Sequence, residues 1–320
     1  MEIKRFKSIS SQQKKELYNF IKTIDETYNK TYIEMIRIYE SDTFNDGDTV
    51  FIVIDSGKIK GSLALITKEI SIKEEAFITD IYVKRENGSN EAEYLNSKSI
   101  DLNIEIVLRI LIERAIECCN MCNATSIKIG IRKSEKHLIT YINNLGFDHI
   151  YDAAVMRYKM DKNIVEVNND IELRPLCILN SLDYMNIHND AFKNSPNGST
   201  INEVEAKDYI IQYASDEDLI GICYVQNKPC GIYELSINNN IGWVDTLAIA
   251  PNFQSRGFGN SLIMKCLKKL YERNLDEVRL LVITSNDIAV NMYKGSGFEE
   301  ERVFSYWFEK KIKFSEKGCI

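Results

Sequence analysis

Two hydrophobic periods alternate along the second half of the chain. Apolar residues recur at helical spacing from Cys177 to Phe192 and again from Asn202 to Ala214. Three strand-like apolar runs follow, Leu219 to Val225, Gly231 to Ile237 and Gly242 to Ile249, and the turns between them, QNKP and NNN, suit an antiparallel meander. Leu262, Ile263, Cys266, Leu267, Leu270 and Tyr271 then form one apolar stripe, while Lys265, Lys268, Lys269 and Arg273 face the other way, as in an amphipathic helix. Val278 to Ile283 reads as a buried strand, and Asn286 to about Gly295 as a short helix ended by Gly297-Phe298. Val303 to Phe308 makes a last strand. The predicted order is two helices, three meander strands, helix, strand, helix, strand.

The same order is repeated. FIVIDSGKIKG (Phe51 to Gly61) lines up with GICYVQNKPCG (Gly221 to Gly231), and YINNLGFDHIYDAAVMRYKM (Tyr141 to Met160) with MYKGSGFEEERVFSYWFEKK (Met292 to Lys311). Between these anchors stand FITDIYVKRE and WVDTLAIAPN. Two copies of one α/β unit are therefore expected, residues 1–162 and 170–320, with the boundary in the polar stretch Asp161 to Asp170. The first copy carries a polar insertion around Glu86 to Ser99, before a helical pattern from Asp101 to Cys118.

Composition narrows the class. The chain has 320 residues, 44% hydrophobic and 27% charged, which is enough for two folded domains and excludes a disordered protein. A net charge of −7 argues against nucleic acid as a partner, because the densest basic cluster is only Lys310, Lys311 and Lys313. No apolar run reaches the ~20 residues a membrane span needs, charges such as Arg109 and Glu113 breaking each candidate. The start, MEIKRFKSISSQQKKELY, has no apolar signal-peptide core, so a cytoplasmic protein with reduced thiols is expected. Cys118, Cys119 and Cys122 close a helical pattern as small hydrophobes. No second Cys or His pair stands at ligand spacing, so no metal is expected.

The stretch Val244 to Leu270 carries the chemistry. A strand stops at Pro251, and Gln254-Ser255-Arg256-Gly257-Phe258-Gly259-Asn260 opens the amphipathic helix. Glycines at 257 and 259 allow close backbone approach, and the helix start offers unpaired N–H donors and the positive end of its dipole, so the loop is suited to a pyrophosphate. The glycine spacing is neither GxGxxG nor GxxxxGK[ST].

This pattern resembles the GNAT family of acyl-CoA N-acyltransferases, whose Q/R-x-x-G-x-G/A loop follows an L-A-V-x-P strand, here Leu247-Ala248-Ile249-Ala250-Pro251. The family's second motif, N-x-x-A-x-x-x-Y-x-x-x-G-F, stands as Asn286, Ala289, Tyr293, Gly297 and Phe298. The resemblance implies an α/β (α+β) fold of two tandem GNAT-like domains, each a mixed, mostly antiparallel sheet flanked by helices, with acetyl-CoA as co-substrate. It implies that Leu247, Ala248 and Ile249 pair with the pantetheine arm, that the amides of Ser255 to Asn260 after Gln254 hold the pyrophosphate, and that Asn286 contacts the cofactor. Tyr293 matches the tyrosine that protonates the leaving thiolate, in keeping with a phenol that is protonated at neutral pH. For the general base, Asp245 on the loop strand is the first candidate and Glu234 on the preceding strand the second. N-terminal acetyltransferases of ribosomal proteins carry a Glu where this chain has Leu281.

The first copy has no Q-x-x-G-x-G loop after Ile81-Tyr82-Val83, and Ile142 and Glu135 take the places of Tyr293 and Asn286. It is expected to keep the fold and bind no acyl-CoA. The expected activity is acetyl transfer to a primary amine, on a small molecule, a peptide N-terminus or a lysine, by direct attack in a ternary complex. Its acceptor pocket is expected around Asp183 to Val204, with Asn186 and Phe192 inside. The alternatives are a non-catalytic acyl-CoA-binding regulator and an aminoacyl-tRNA-dependent transferase, and a homo-oligomer is left open.

Overall fold

The computed structural model describes residues 1–84, 101–160, 171–193, 195–196 and 198–312. The expected insertion around Glu86 to Ser99 and the expected boundary at Asp161 to Asp170 lie outside the described residues. The chain forms two compact units, one of Met1–Ile150 with the segment from Trp307 onward, the other of Tyr151–Tyr306.

The first unit runs β1 (Glu2–Arg5), α1 (Ser11–Ile24), α2 (Tyr32–Tyr39), β2 (Val50–Asp55), β3 (Lys58–Ile66), β4 (Glu75–Val83), α3 (Leu102–Met121), β5 (Ser126–Arg132) and α4 (Ile139–Asn144). Capping boxes start the first two helices: Ser10 with Gln13, and Thr31 with Glu34, satisfy otherwise orphaned N–H groups in both directions. The strands pair in chain order, antiparallel except for the parallel pair β4·β5.

The second unit takes β6 (Asp148–Lys159) from Tyr151 on, then β7 (Glu172–Pro175), α5 (Ser181–Phe192), α6 (Glu203–Gln212), β8 (Ile220–Val225), β9 (Lys228–Asn238), β10 (Ile241–Ile249), α7 (Phe258–Tyr271), β11 (Glu277–Ile283) and α8 (Asp287–Gly295). Its sheet order is β6-β11-β10-β9-β8-β7, with β10·β11 parallel and the other pairs antiparallel. The last strand, β12 (Glu299–Lys311), leaves the second unit at Tyr306.

Each unit thus completes itself with chain from the other half of the sequence. In the second unit, Ala153–Lys159 of β6 pair antiparallel with Ile283–Glu277, and the Met160 N–H donates to the Asp276 carbonyl at 2.9 Å. In the first, the Ile312 N–H donates to the Thr125 carbonyl at 2.8 Å, and Trp307 lies so close to Gly130 that a Cβ there would stand 2.8 Å from the indole.

The repeated hairpins behave as the sequence pattern requires. Ser56-Gly57 and Gln226-Asn227 are two-residue turns with positive φ at both positions, the geometry that matches strand twist. On one face of the second sheet lies α7, whose Leu262, Ile263, Cys266, Leu267 and Leu270 are all fully buried. On the other face α5 and α6 cover Ile220, Ile222, Ile232 and Ala248. Among the described residues, no helix is long and apolar enough to cross a membrane.

One irregularity recurs in both units and sets up the site. The β9·β10 register slips between Val244 and Thr246, leaving Asp245 as an extra residue, and the β3·β4 register slips at Thr79 in the same way. Just before each bulge the parallel pairing ends, at Val244↔Leu280 and at Ile78↔Ile129. Beyond it the two parallel strands part.

Candidate active site

The parting of β10 from β11 exposes a stretch of β10 edge. Along β10 the Ala250 N–H donates to the Cys230 carbonyl at 2.9 Å, so Ala250 and, by alternation, Ala248 face β9. The Leu247 N–H and C=O and the Ile249 N–H therefore turn toward the side that β11 has left. The Ile249 carbonyl accepts from Gln254 Nε2 at 2.9 Å, which pins the following loop to the strand end.

That loop turns in the left-handed region twice, at Ser255 (φ 60°) and Gly257 (φ 82°), before α7 begins. Only Gly257 adopts this conformation without strain, and a Cβ there would meet no atom within 4 Å. The first helical N–H taken within the chain is that of Ser261, by the Gly257 carbonyl at 3.2 Å. The N–H groups of Phe258, Gly259 and Asn260 have no intrahelical acceptor, as at any helix start, and no side chain caps them. The exposed Arg256 stands with its guanidinium 5.8 Å from the Phe253 ring. Gly259 has a packing reason as well: a Cβ there would lie 2.8 Å from Met292 Sδ on α8.

Asn286 proves to be the N-cap of α8, its Oδ1 accepting from the Ala289 N–H at 3.1 Å. This cap fixes the start of the helix that carries Tyr293. The tyrosine is 8% exposed, with its ring edge-on to Phe298 at 5.8 Å, and burial pushes its phenol up to about 12. Among the described residues its hydroxyl has no hydrogen-bond partner.

The two carboxylates flagged in the sequence come together on the face covered by α5 and α6. Glu234 follows Ile232 by two residues and shares its face. It accepts from the Tyr213 hydroxyl at 2.9 Å and from Thr246 Oγ1 at 3.0 Å, while burial lifts its carboxyl above the ordinary range. Regular alternation would send Asp245 to the opposite face from Thr246. The bulge cancels that alternation, and Asp245 hydrogen-bonds with Ser236, which lies on Glu234's face. Partial burial raises Asp245 as well, and its charge adds to the upward shift of Glu234.

Three tyrosines line this face beside Tyr213's partner. Tyr184 is fully buried, its hydroxyl has no hydrogen-bond partner among the described residues, and its ring meets that of Tyr209 edge-on at 6.1 Å. Burial first and Glu234 second raise the phenols of Tyr184, Tyr209 (to about 12) and Tyr213. Periodicity marks Tyr184 only as a core residue of α5; its nearness to Glu234 depends on strand pairing, which no local signal reports. Of the pocket residues expected from sequence, Phe192 is half-buried with its ring 4.9 Å from His188, whereas Asn186 is exposed.

The first unit fills the equivalent place differently. Arg132 Nη1 donates to Asp25 at 2.6 Å and Nη2 lies 3.9 Å from Asp80, which also accepts from the Tyr39 hydroxyl at 3.3 Å. Beyond Ile78 the space between β4 and β5 is reduced to a cavity of about 20 Å³ lined by Asp80, Tyr82, Arg132 and Glu135, room for a single water. Among the described residues, no group of three or more His, Cys, Asp or Glu side chains is placed to hold a metal ion.

Comparison with known proteins agrees with this geometry. Residues 183–298 match the profile of the Acetyltransferase (GNAT) family. An uncharacterized N-acetyltransferase of Methanocaldococcus jannaschii is 31% identical over 99 residues, 29% of this chain and 44% of that protein. The chain spans about half the length of the curated relatives it matches. In fold the likeness is chain-wide. The GCN5-related N-acetyltransferase from Sphaerobacter thermophilus superposes with a TM-score of 0.67 over 98% of this chain and 96% of its own, at 15% identity. The tandem GNAT protein from the clavulanic acid biosynthesis pathway does so with a TM-score of 0.62 over 98% and 99%, at 10% identity. The loop, the parted strands and the second motif all lie within residues 183–298, the stretch that matches the Acetyltransferase (GNAT) family.

Proposed function

We propose that the second unit transfers an acetyl group from acetyl-CoA to a primary amine by direct attack in a ternary complex. The observation that carries this reading is the left-handed turn at Ser255 and Gly257, which aims an uncapped helix start alongside an unpaired strand edge. The amides of Ser255 to Asn260 would hold the pyrophosphate, with Gln254 pinning the loop and Arg256 adding charge. The backbone of Leu247, Ala248 and Ile249 is the edge on which an extended pantetheine would pair. Asn286 serves this site through its cap, by fixing the helix that carries Tyr293. Bound acetyl-CoA supplies an activated thioester.

The chain's own residues supply the proton transfers. Tyr293, protonated throughout the neutral range, gives its proton to the departing thiolate sulfur. Asp245, on the strand bordering the gap, takes the proton that the amine loses as its nitrogen–carbon bond forms. Glu234, one strand and roughly 4.8 Å farther across the sheet, is the second candidate for that role. We assign no acyl-CoA to the first unit: its sequence carries no Q-x-x-G-x-G after Val83, and Arg132 and Asp80 line the small cavity beyond Ile78.

Isothermal titration of acetyl-CoA tests the assignment. The expected result is one site per chain, lost in Gly257→Val, because a β-branched residue is strained at a φ of 82°. Absence of heat in the unaltered protein, or unchanged binding in a Gly257→Val protein that melts normally, overturns it. If acetyl-CoA binds and no amine in a broad panel releases CoA thiol, the chain is instead a non-catalytic acyl-CoA-binding regulator.

A further inference from the structure

The acceptor face of the second unit holds two carboxylates and no counter-charge. Glu234 and Asp245 lie close enough to repel each other, and their hydrogen-bond partners among the described residues are hydroxyls: Tyr213 and Thr246 on Glu234, Ser236 on Asp245. Among the described residues, no Lys or Arg forms an ion pair with either. The first unit shows what the same fold does when it supplies the cation itself. Counting from the last parallel pair, Ile129 to Arg132 in β5 matches Leu280 to Ile283 in β11. Arg132 answers Asp25 and Asp80, whereas the second unit has an isoleucine in that place.

An independent feature points to a ligand at the same spot. Tyr184 is wholly buried, within electrostatic reach of Glu234, and its hydroxyl is left without a hydrogen bond. An ammonium group has three donors and no acceptor, and is attracted to the faces of aromatic rings. It would satisfy the Glu234 carboxylate and the stranded Tyr184 oxygen together, with Tyr209 and Tyr213 close by. A neutral or anionic group would leave the half-buried Glu234 carboxylate without a counter-charge.

Resting on the acetyl-transfer reading, we infer that the acceptor is an aliphatic diamine. Asp245, on the strand bordering the gap, serves the reacting nitrogen, and Glu234 beneath Tyr184, Tyr209 and Tyr213 anchors the second, cationic nitrogen. One carboxylate is enough to remove a proton, which leaves the other available to a second charge on the acceptor.

The experiment compares four acceptors of matched reach with the full chain and acetyl-CoA: 1,4-diaminobutane, butylamine, 4-aminobutanol and 4-aminobutyrate. The expected kcat/KM order is cationic, then neutral, then anionic tail, with the diamine ahead of the amino alcohol by at least ~10-fold, the factor for about 1.4 kcal/mol of anchoring. Glu234→Gln should bring the kcat/KM values of diamine and butylamine to within about threefold of one another, a difference of about 0.6 kcal/mol. A second readout is free of turnover: titration of 1,4-diaminobutane into the CoA-saturated protein should give heat that Glu234→Gln and Tyr184→Phe each reduce. CoA release with the amino alcohol equal to or above that with the diamine overturns the inference and leaves acetyl transfer standing. Loss of all turnover in Glu234→Gln, butylamine included, gives Glu234 the base's role and overturns the anchoring. No release with any acceptor overturns both readings.

Discussion

Tyr293→Phe isolates a single oxygen. The ring is 8% exposed and packs edge-on to Phe298, so keeping it preserves the core, whereas Tyr293→Ala would open a cavity costing about 3–5 kcal/mol. The hydroxyl has no hydrogen-bond partner among the described residues, and its removal orphans no other group. Stability should therefore change by less than about 1 kcal/mol. The rate should change far more. A positioned general acid is worth roughly 100- to 10,000-fold, or about 2.7–5.4 kcal/mol of barrier. Because the phenol sits at about 12, it stays protonated through the neutral range, and the loss should be the same at pH 6 as at pH 9. The assay is capture of released CoA thiol by a chromogenic disulfide at saturating acetyl-CoA and amine, with thermal unfolding and calorimetric CoA binding as controls. The expected signature is a collapsed kcat with binding and melting retained. A kcat within threefold of the unaltered protein would refute the proton-donor role, and a matching loss of CoA binding would reduce the residue to a packing element.

Other consequences are independent of that result. Burial raises Glu234 above its ordinary 4.5 and partial burial raises Asp245 above its ordinary 3.8, so the acid limb of kcat/KM should fall at higher pH than either value. A raised carboxyl favours the folded state below the unfolded-state value, and that contribution is lost as pH rises through the folded one. Glu234→Gln should accordingly gain in melting temperature relative to the unaltered protein as pH climbs past 4.5, which melts across pH 4–8 would check. Arg132→Met leaves Asp25, only 5% exposed at its side chain, and Asp80 without their cation. Since the guanidinium is itself partly exposed, a cost on the order of 2 kcal/mol is expected in urea unfolding. A fragment of residues 151–306 retains β6 against β11 and should melt cooperatively and bind CoA, whereas residues 170–320 lack that strand and should do neither.

The contrast between those two fragments shows where sequence reading ends. The loop from Gln254 to Asn260 and the stripe from Leu262 to Leu270 were legible because glycine spacing and helical period are local properties, fixed within one turn of chain. The hairpin at Gln226-Asn227 was legible for the same reason. The partner of β11 was not, since pairing Ile283–Glu277 with Ala153–Lys159 joins residues more than a hundred positions apart. Asp245 is the sharpest case. Its residue type marked it as a base candidate, but its face depended on a register slip at Val244/Thr246 that carries no glycine or proline to announce it. Tyr184 is core; what sets it apart is a carboxylate contributed by a strand fifty residues on.

The two units carry one backbone device with opposite fillings. In both, a single extra residue disturbs the antiparallel ladder where the parallel neighbour departs, at Thr79 and at Asp245. Such a bulge costs ladder hydrogen bonds and persists where something else uses the opening. In the first unit that use is internal: Asp80 and Tyr82 turn inward, Arg132 neutralises the carboxylates, and the remaining volume suits one water. In the second, Ala248 and Thr246 take the places of Tyr82 and Asp80, Ile283 takes that of Arg132, and the acidic residue moves one position to the bulge itself. The second unit thus has neither the aromatic nor the guanidinium at these places and keeps the carboxylates. A parted strand pair bearing two carboxylates beside an uncapped helix start is not explained by packing alone. It is coherent as a site that an anionic cofactor enters from the loop end and a cationic acceptor enters from the face of α5 and α6.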